Sequence, residues 1–350
     1  MELYFLNGNF SAVSPPVDTA VSAVWSLRYG ECGTFAMEIP LTAGTADGTA
    51  YTPGELLSLA SGAAYLCDRQ FCGRIETVIC RDNTLRLGGR LLECLLYDRV
   101  AGAECAYSGT AGQAVLAALR QWAGDLPFIL PDTVPDLTAS SVFPMETGEN
   151  LGKWIHHLLY PLGAGYTVEL RDGQLFFDIV QGIDRSLDSA PGVNRAIFSE
   201  DFGNIAGLET ELYRENVLNW IYVEGSDGTL VPVNRSGGSD WRREGYRKAA
   251  DIRPDQYGST AAYQAALVKR GEELLDANRE TARVSCVGEY EALPRYGTDY
   301  RLGDICEVQG DTLGVRRALR LTAVDVVSEG GTVKLYPFFG DTVRKIRDLK

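Results

Sequence analysis

The feature of the sequence that most restricts its fold is a run of alternating apolar residues around a tight-turn pair. On the two sides of Asp172-Gly173 every second residue is apolar: Tyr166, Val168, Leu170, Leu175, Phe177 and Ile179. Alternation with a period of two places these side chains on one face of a strand pair, and Asp-Gly favours the positive φ angles of a two-residue turn. The pattern predicts a β-hairpin centred on residues 172–173.

The same pattern recurs at two other places. Asp227-Gly228 and Glu329-Gly330-Gly331 each lie between short runs of alternating valine, isoleucine or leucine. Further strands are predicted over residues 65–96, with breaks at 81–83 and 88–89. The 38 glycines of the chain fit the many tight turns of a β-rich protein.

Three segments have helical periodicity instead. Residues 111–123 begin with Thr110 and Gln113 at the spacing of a capping box, and Gly124 follows as a stop signal. Residues 151–160 have an apolar stripe at i, i+3, i+4, i+7 and i+8 and precede Pro161. A longer helix is predicted over residues 260–278. The chain is thus a β-rich segment, an α/β segment and a second β-rich segment with one long helix.

The charge and the termini exclude several classes of protein. A net charge of −14 argues against a protein that grips nucleic acid, which needs clustered Lys and Arg. No segment approaches the ~20 consecutive apolar residues of a membrane helix, and residues 1–5 lack the features of a secretory signal. We expect a protein that is made and assembled inside a cell without inserting into a membrane.

The eight cysteines do not suggest a metal site. Cys67, Cys72 and Cys80 have no CxxC spacing, and only two histidines are available to complete a zinc site. Free buried thiols in a reducing compartment are therefore expected.

No catalytic signature is found. His156 and His157 are adjacent on one predicted helix and flank its apolar stripe, as core or boundary histidines do, and no nucleophile elbow, HExxH motif or phosphate-binding loop occurs. Glu200-Asp201 and the pair Glu289 and Glu291 are candidates for a glycosidase pair only in the sense that any acidic chain offers such pairs. We predict no catalytic, cofactor-binding or metal-binding residues, and no enzyme.

One basic and aromatic cluster interrupts the acidic sequence: Trp241, Arg242, Arg243, Tyr246 and Arg247. Arginine and aromatic side chains together suit an anionic strand. However, acidic residues surround the cluster, so ion pairing within the protein or across a subunit boundary is favoured. We take these five residues as a candidate interface.

Ordered segments along the chain resemble a family of siphovirus tail proteins, related to baseplate hub and tail-associated (Tal-like) hub proteins. The resemblance rests on residues 182–186 and 196–205, on 215–223 with 242–244, and on 299–308; residues 26–29 and 33–40 resemble the opening hairpin of that family. The turn pairs Gly203-Asn204 and Gly303-Asp304 fit strand ends.

The resemblance implies a β-rich α+β fold with two β-barrel-like domains and an inserted α/β unit, as in phage baseplate hubs. The expected parts are a barrel-type domain over residues 1–107, an α/β insert over 108–180, and a second barrel-type region over 181–350 that can complete the first barrel. The protein would be a structural tail-tip hub without enzymatic activity.

The resemblance also implies partners and a location. A homotrimer would join the tail tube to tip or fibre proteins, contact distal tail and tape-measure proteins, and let DNA pass through its acidic channel without specific binding. It would be assembled in the bacterial host cytoplasm and reside in the virion tail of a phage or a phage-like particle. Many related hubs continue into fibre or lytic modules, whereas this chain ends at the basic residues 344–350, which are either a solvated terminus or a docking segment.

Two alternatives remain at this stage. A tail-associated cell-wall hydrolase would use a carboxylate pair. A glycan-binding adhesin would use the aromatic residues Trp220, Tyr222, Trp241 and Tyr246 as a sugar platform, although β-core and interface packing is favoured for these side chains.

Overall fold

The computed structural model describes residues 2–18, 22–45, 48–235, 241–289, 293–310 and 314–340. The chain divides into two compact units. Unit 1 comprises Met1–Glu209 and Val284–Phe339, and unit 2 comprises Thr210–Arg283 and Gly340–Lys350. The predicted boundaries near residues 107 and 180 stay a prediction.

Unit 1 contains most of the strands and four of the five α-helices that the described residues form. The strands before the middle of the chain are β1 (Tyr4–Leu6), β2 (Ser22–Arg28), β3 (Thr34–Pro40), β4 (Tyr65–Cys67), β5 (Cys72–Arg81), β6 (Thr84–Leu91), β7 (Cys105–Gly109), β8 (Phe128–Ile129), β9 (Ser141–Met145), β10 (Ala164–Arg171), β11 (Gln174–Gln181) and β12 (Ile197–Ser199). The helices are α1 (Pro53–Gly62), α2 (Cys94–Tyr97), α3 (Ala111–Trp122) and α4 (Leu151–Leu159).

Two strands cross the boundary between the units, β13 (Ala206–Tyr213) and β17 (Thr281–Glu289). Unit 2 adds β14 (Trp220–Gly225), β15 (Leu230–Asn234), β16 (Glu244–Ala249) and the helix α5 (Thr260–Ala277). The last strands are β18 (Ile305–Gly310), β19 (Val315–Glu329) and β20 (Thr332–Gly340).

The strands pair mostly in antiparallel fashion. The large sheet runs in the order β1-β4-β5-β6-β3-β2-β19-β20-β17-β13, and β18 pairs with both β19 and β12. A smaller sheet has the strand order β10-β11-β8. The prediction of a β-rich α+β fold is confirmed in this coarse form, whereas the two-barrel detail stays a prediction.

All three predicted hairpins form. β10 pairs with β11 through Leu170↔Leu175, β14 with β15 through Val223↔Val231, and β19 with β20 through Glu329↔Thr332. The expected opening hairpin is also present, as β2 pairs with β3. At the first turn Asp172 and Gly173 have φ angles of 50° and 75°, the conformation that Asp-Gly tolerates best.

Two hydrophobic cores fill unit 1. The first lies against the large sheet, where alternation buries Trp25, Phe35 and Met37. The second lies among α3, α4 and the β10-β11 hairpin and contains Leu119, Ile155 and the inward-facing side chains of the hairpin. The predicted α/β segment therefore has a core, which also includes residues from β1 and β4.

The predicted helices are confirmed to within a residue or two at their ends. Thr110 and Gln113 form the predicted capping box of α3, and α5 ends at Ala277. Pro161 stands in a short 3₁₀ turn, Tyr160–Leu162, that follows α4 directly. The sequence analysis did not anticipate α1, which buries only Leu56 and Ala60 and so lacks a long apolar stripe.

The cysteine expectation is wrong for two residues. Cys67 and Cys72 lie opposite each other across the β4-β5 pair, with 4.0 Å between their Cα atoms, and form a disulfide. Cys80 is free but exposed, whereas Cys94, Cys286 and Cys306 are free and buried as expected.

His156 has the structural role expected of a core histidine. It is buried, its Nδ1 lies 2.8 Å from the carbonyl oxygen of Gly30, and its Nε2 lies 3.3 Å from a carboxylate oxygen of Glu31. His156 thus fixes α4 to the turn that follows β2. His157 is exposed on the same helix.

A buried ion pair holds the segment after β11 to the segment before β18. Arg185 and Asp304 approach to 2.6 Å, and their side chains are only 14% and 5% exposed. The Asp304 carboxylate also accepts hydrogen bonds from the backbone N–H groups of Ile183, at 2.8 Å, and Arg301, at 3.0 Å. Gly303 has a φ of 90°, and a Cβ there would lie 2.2 Å from the Tyr29 ring, so this predicted turn needs glycine.

Candidate interface site

The candidate interface lies on the three-stranded sheet β15-β14-β16 of unit 2. One face of this sheet packs against α5, because alternation directs Ile221, Val223 and Val233 toward Leu267. Gly271 of α5 lets the helix approach closely, as a Cβ there would lie 2.5 Å from Val233. Among the described residues of unit 2, no helix or strand covers the opposite face of the sheet.

The middle of that opposite face is aromatic and apolar, and polar residues lie at its two ends. The register pairs Tyr222 of β14 with Tyr246 of β16 and with Pro232 of β15, and Trp220 precedes Tyr222 by two residues on the same face. Leu230 lies at the far end and is 52% exposed. We call these five residues, Trp220, Tyr222, Leu230, Pro232 and Tyr246, the outer aromatic face.

Arg242 completes the face at its Trp220 end. The Arg242 guanidinium lies 3.9 Å from the centroid of the Trp220 ring, a close cation–π contact. It also lies 3.5 Å from the Glu244 carboxylate. Since the guanidinium occupies one face of the Trp220 ring, that ring face is closed to a stacking sugar.

Charged groups surround Tyr246. Its hydroxyl donates a hydrogen bond to Glu224, and Lys248 lies 3.4 Å from the same carboxylate. These two contacts lower the pKa of Glu224, with the Tyr246 hydrogen bond as the larger cause. The expected ion pairing within the protein occurs around this cluster, although Asp240 lies outside the described residues.

The structure places the other candidate residues at the edge of the face. Trp241 is 93% exposed, and its carbonyl oxygen accepts a hydrogen bond from the Asn219 side chain. Arg243 donates its backbone N–H to Asn219 Oδ1 and its Nη2 to the Glu215 carbonyl, so it fixes the segment before β16.

Arg247 is not part of the outer aromatic face. It pairs in register with Val223, whose side chain points toward α5, and it is exposed because β16 is an edge strand. The site thus unites Arg242 and Tyr246, with Trp241 and Arg243 beside them, but excludes Arg247.

The sequence analysis missed Leu230, Pro232 and Glu224. The sequence could have predicted these three residues, because they continue the alternation of Trp220 and Tyr222 across the Asp227-Gly228 turn and so lie on the same face of the hairpin. Whether the face is an interface stays a prediction.

The side chain of Glu289 and all of Glu291 lie outside the described residues, as do the basic residues 344–350. Within the part of the chain that the structure describes, no group of three His, Cys, Asp or Glu side chains is arranged to hold a metal ion, and no helix is long and apolar enough to cross a membrane.

The comparison with protein families decides the affiliation of the chain. The model of the Siphovirus ReqiPepy6 Gp37-like proteins matches residues 2–341. The chain belongs to this family. The predicted resemblance to siphovirus tail proteins is confirmed.

Solved structures show the same fold. The chain is similar to a tail protein from Neisseria meningitidis MC58, with 13% identity, a TM-score of 0.57 and coverage of 97% of this chain and 96% of that one. It is similar to the 43 kDa tail protein of prophage MuSo2 from Shewanella oneidensis, with 12% identity, a TM-score of 0.56 and 97% coverage of both chains.

A third structure of the same fold is prophage tail protein gp18 from Listeria monocytogenes EGD-e. The identity is 10% and the TM-score 0.53, with coverage of 100% of this chain and 97% of that one. A search of curated proteins finds no match. At these identities the likeness is one of fold, and it extends over the whole length of the chains.

Proposed function

We propose that this chain is the structural hub subunit at the distal tip of a phage tail, or of a phage-tail-like particle. The observation that carries the proposal is the family match, which extends over residues 2–341. The fold likeness to tail proteins along nearly the entire chain supports it. In this role the chain would act without catalysis, by joining the tail tube to the distal tip components.

The hub would form a homotrimer through the outer aromatic face. Aromatic and arginine side chains are enriched in protein interfaces and dominate their energetics. Tyr246 is 59% exposed and Leu230 52% exposed, so this sheet face offers apolar area that a neighbouring subunit would cover. Contacts with tube, distal tail, tape-measure and tip proteins would use other surfaces.

The three-part organisation and the channel belong to the same proposal. Residues 108–180 would be an insert between two barrel-type regions, which is supported by the core that α3 and α4 form with the β10-β11 hairpin. The net charge of −14 would give the channel an acidic lining, along which DNA slides without binding.

Labelled antibodies against the chain test the proposed location. On tail particles from a lysate, electron microscopy should show label at the tip opposite the head, with one cluster per particle. Label along the whole tube, or at the head-proximal end, would contradict the hub.

A further inference from the structure

A ring of three identical subunits needs two different contact surfaces on each subunit, because every subunit meets one neighbour on either side. The proposed function supplies one such surface, the outer aromatic face of unit 2. Three copies of that face cannot meet one another on the axis of the ring, since the proposed channel occupies the axis. Each subunit must therefore carry a second surface that receives this face, and the existence of that surface rests on the proposed function.

Two large apolar side chains of unit 1 project into solvent. Among the described residues of this unit, Leu293 and Phe202 are the most exposed large apolar side chains, at 68% and 65%. Phe202 lies in the turn between β12 and β13, which the backbone N–H of Gly203 closes on the carbonyl oxygen of Glu200 at 2.9 Å. A neighbouring subunit that covered both side chains would remove their apolar surface from water, which favours association.

The side chain of Asn204 holds these two residues in the same region. Its amide nitrogen donates to the carbonyl oxygens of Ile197, at 2.8 Å, and of Leu293, at 3.1 Å. Its Oδ1 accepts the backbone N–H of Ser199 at 2.9 Å. The turn that carries Phe202 is thereby fixed to the segment that carries Leu293, so a partner would meet a preorganised surface.

The charges beside Phe202 complement a charge beside the outer aromatic face. Glu200 and Asp201, which lie in the same turn as Phe202, form no ion pair with any residue that the structure describes. In unit 2, the Arg243 guanidinium donates to the Glu215 carbonyl oxygen and likewise pairs with no carboxylate among the described residues. Complementary charges at the rim of an interface accelerate association and fix its register.

We propose that Asp201, Phe202 and Leu293, which we call the receiving patch, bind the outer aromatic face of the next subunit in the ring. Trp241, which is 93% exposed beside that face, would pack on Phe202 and Leu293. Arg243 would approach the Asp201 carboxylate. Aromatic side chains that pack together across an interface are typical hot spots of binding, so this contact would contribute much of the affinity between subunits.

Light-scattering mass of the full chain tests the receiving patch by substitution. Phe202→Ser should weaken the association at least about tenfold, as loss of an aromatic anchor does, and should leave the melting temperature unchanged because the side chain is exposed. Asp201→Lys should weaken the association at low salt, and this effect should fade at high salt. Val142→Ser, at a side chain of β9 that is 60% exposed, is the matched control and should leave the trimer intact.

A mixture of two double variants tests the head-to-tail contact itself. The variant Phe202→Ser, Leu293→Ser lacks the receiving patch but keeps the outer aromatic face. The variant Arg242→Ser, Tyr246→Ser lacks that face but keeps the patch. Each should be monomeric alone, and their equimolar mixture should form a heterodimer, because the two surfaces that remain intact are complementary. A self-complementary contact predicts only monomers in the mixture.

The outcomes separate the receiving patch from the hub itself. A trimeric wild type whose mass is unaffected by Phe202→Ser and Asp201→Lys overturns the receiving patch and leaves the hub standing, whereas a monomeric wild type overturns both. Absence of the heterodimer, or equal dissociation by Val142→Ser, also overturns the patch. Formation of the heterodimer supports it, and Asp201→Lys gives an answer even if a serine variant fails to fold.

Discussion

Removal of the Asp304 carboxylate should destabilise unit 1 strongly. The side chain is 5% exposed and pairs with Arg185, which is itself 14% exposed, so Asp304→Ala leaves a guanidinium with little access to water. It also removes the acceptor for the backbone N–H groups of Ile183 and Arg301. Breaking a buried pair on one side typically costs about 3 to 5 kcal/mol, a large part of the ~5 to 15 kcal/mol that stabilises a domain.

Urea denaturation of the purified chain measures this cost. Asp304→Asn should lie between the wild type and Asp304→Ala, because the amide oxygen still accepts a backbone N–H while the charge is lost. The double variant Arg185→Met, Asp304→Ala should recover part of the loss by removing the unpaired charge.

The control is an exposed ion pair in the same unit. Glu38 and Arg86 lie 2.8 Å apart with side chains 40% and 57% exposed, so Glu38→Ala should cost at most about 1 kcal/mol. The reasoning is refuted if Asp304→Ala costs no more than Glu38→Ala, or if the double variant is as unstable as the sum of the two single changes.

Three further predictions concern a buried carboxyl group, the outer aromatic face and the helix α5. Burial raises the pKa of Glu93 to about 7, so the stability that the protonated carboxyl contributes below about pH 4.5 is lost as the pH rises through 7. The Glu93→Gln variant should therefore be more stable than the wild type by about 2 to 3 kcal/mol at pH 8 and equally stable at pH 4. Urea denaturation at each pH measures this difference in the free energy of unfolding. The double variant Arg242→Ser, Tyr246→Ser should dissociate the proposed trimer, as measured by light scattering, with little change in melting temperature. The control variant Arg235→Ser removes one partner of the exposed ion pair with Asp276 and should leave the trimer intact. Gly271→Val should cost about 1 to 3 kcal/mol, measured by thermal unfolding, because its side chain would collide with the sheet beneath α5, and a neutral result would contradict the close helix approach.

The local parts of the fold could be predicted from the sequence because their causes are local. The hairpin at Asp172-Gly173 needs only alternation and a turn pair, and α3 needs only its stripe and the Thr110 cap. The helix α1 was missed although Thr52 and Glu55 have capping-box spacing and Pro53 follows the cap, because only Leu56 and Ala60 of its ten residues are buried and no apolar stripe marks it.

The contacts that join distant segments could not be predicted in this way. The Cys67–Cys72 disulfide depends on the register of β4 and β5, which no cysteine spacing reveals. The partners Arg185 and Asp304 are 119 residues apart, and their pairing follows from the fold. Fold and family came instead from the ordered resemblance of segments along the chain.

The candidate interface was predicted in part. Local composition identified Arg242 and Tyr246, which share the outer aromatic face, but it also selected Arg247, which belongs to the other face of the sheet. The alternation of side chains along a strand would have assigned Tyr246 and Arg247 to opposite faces, if the sequence analysis had recognised β16 as a strand. The strand β16 was missed because its sequence is mostly polar, as edge strands need little apolar surface.

The assembly of the purified chain tests the central claim most directly. Light-scattering mass combined with electron microscopy should give three copies of the 38.2 kDa chain in a ring around a central channel. A stable monomer at concentrations well above the micromolar range, or a closed assembly without a channel, would contradict the proposed hub.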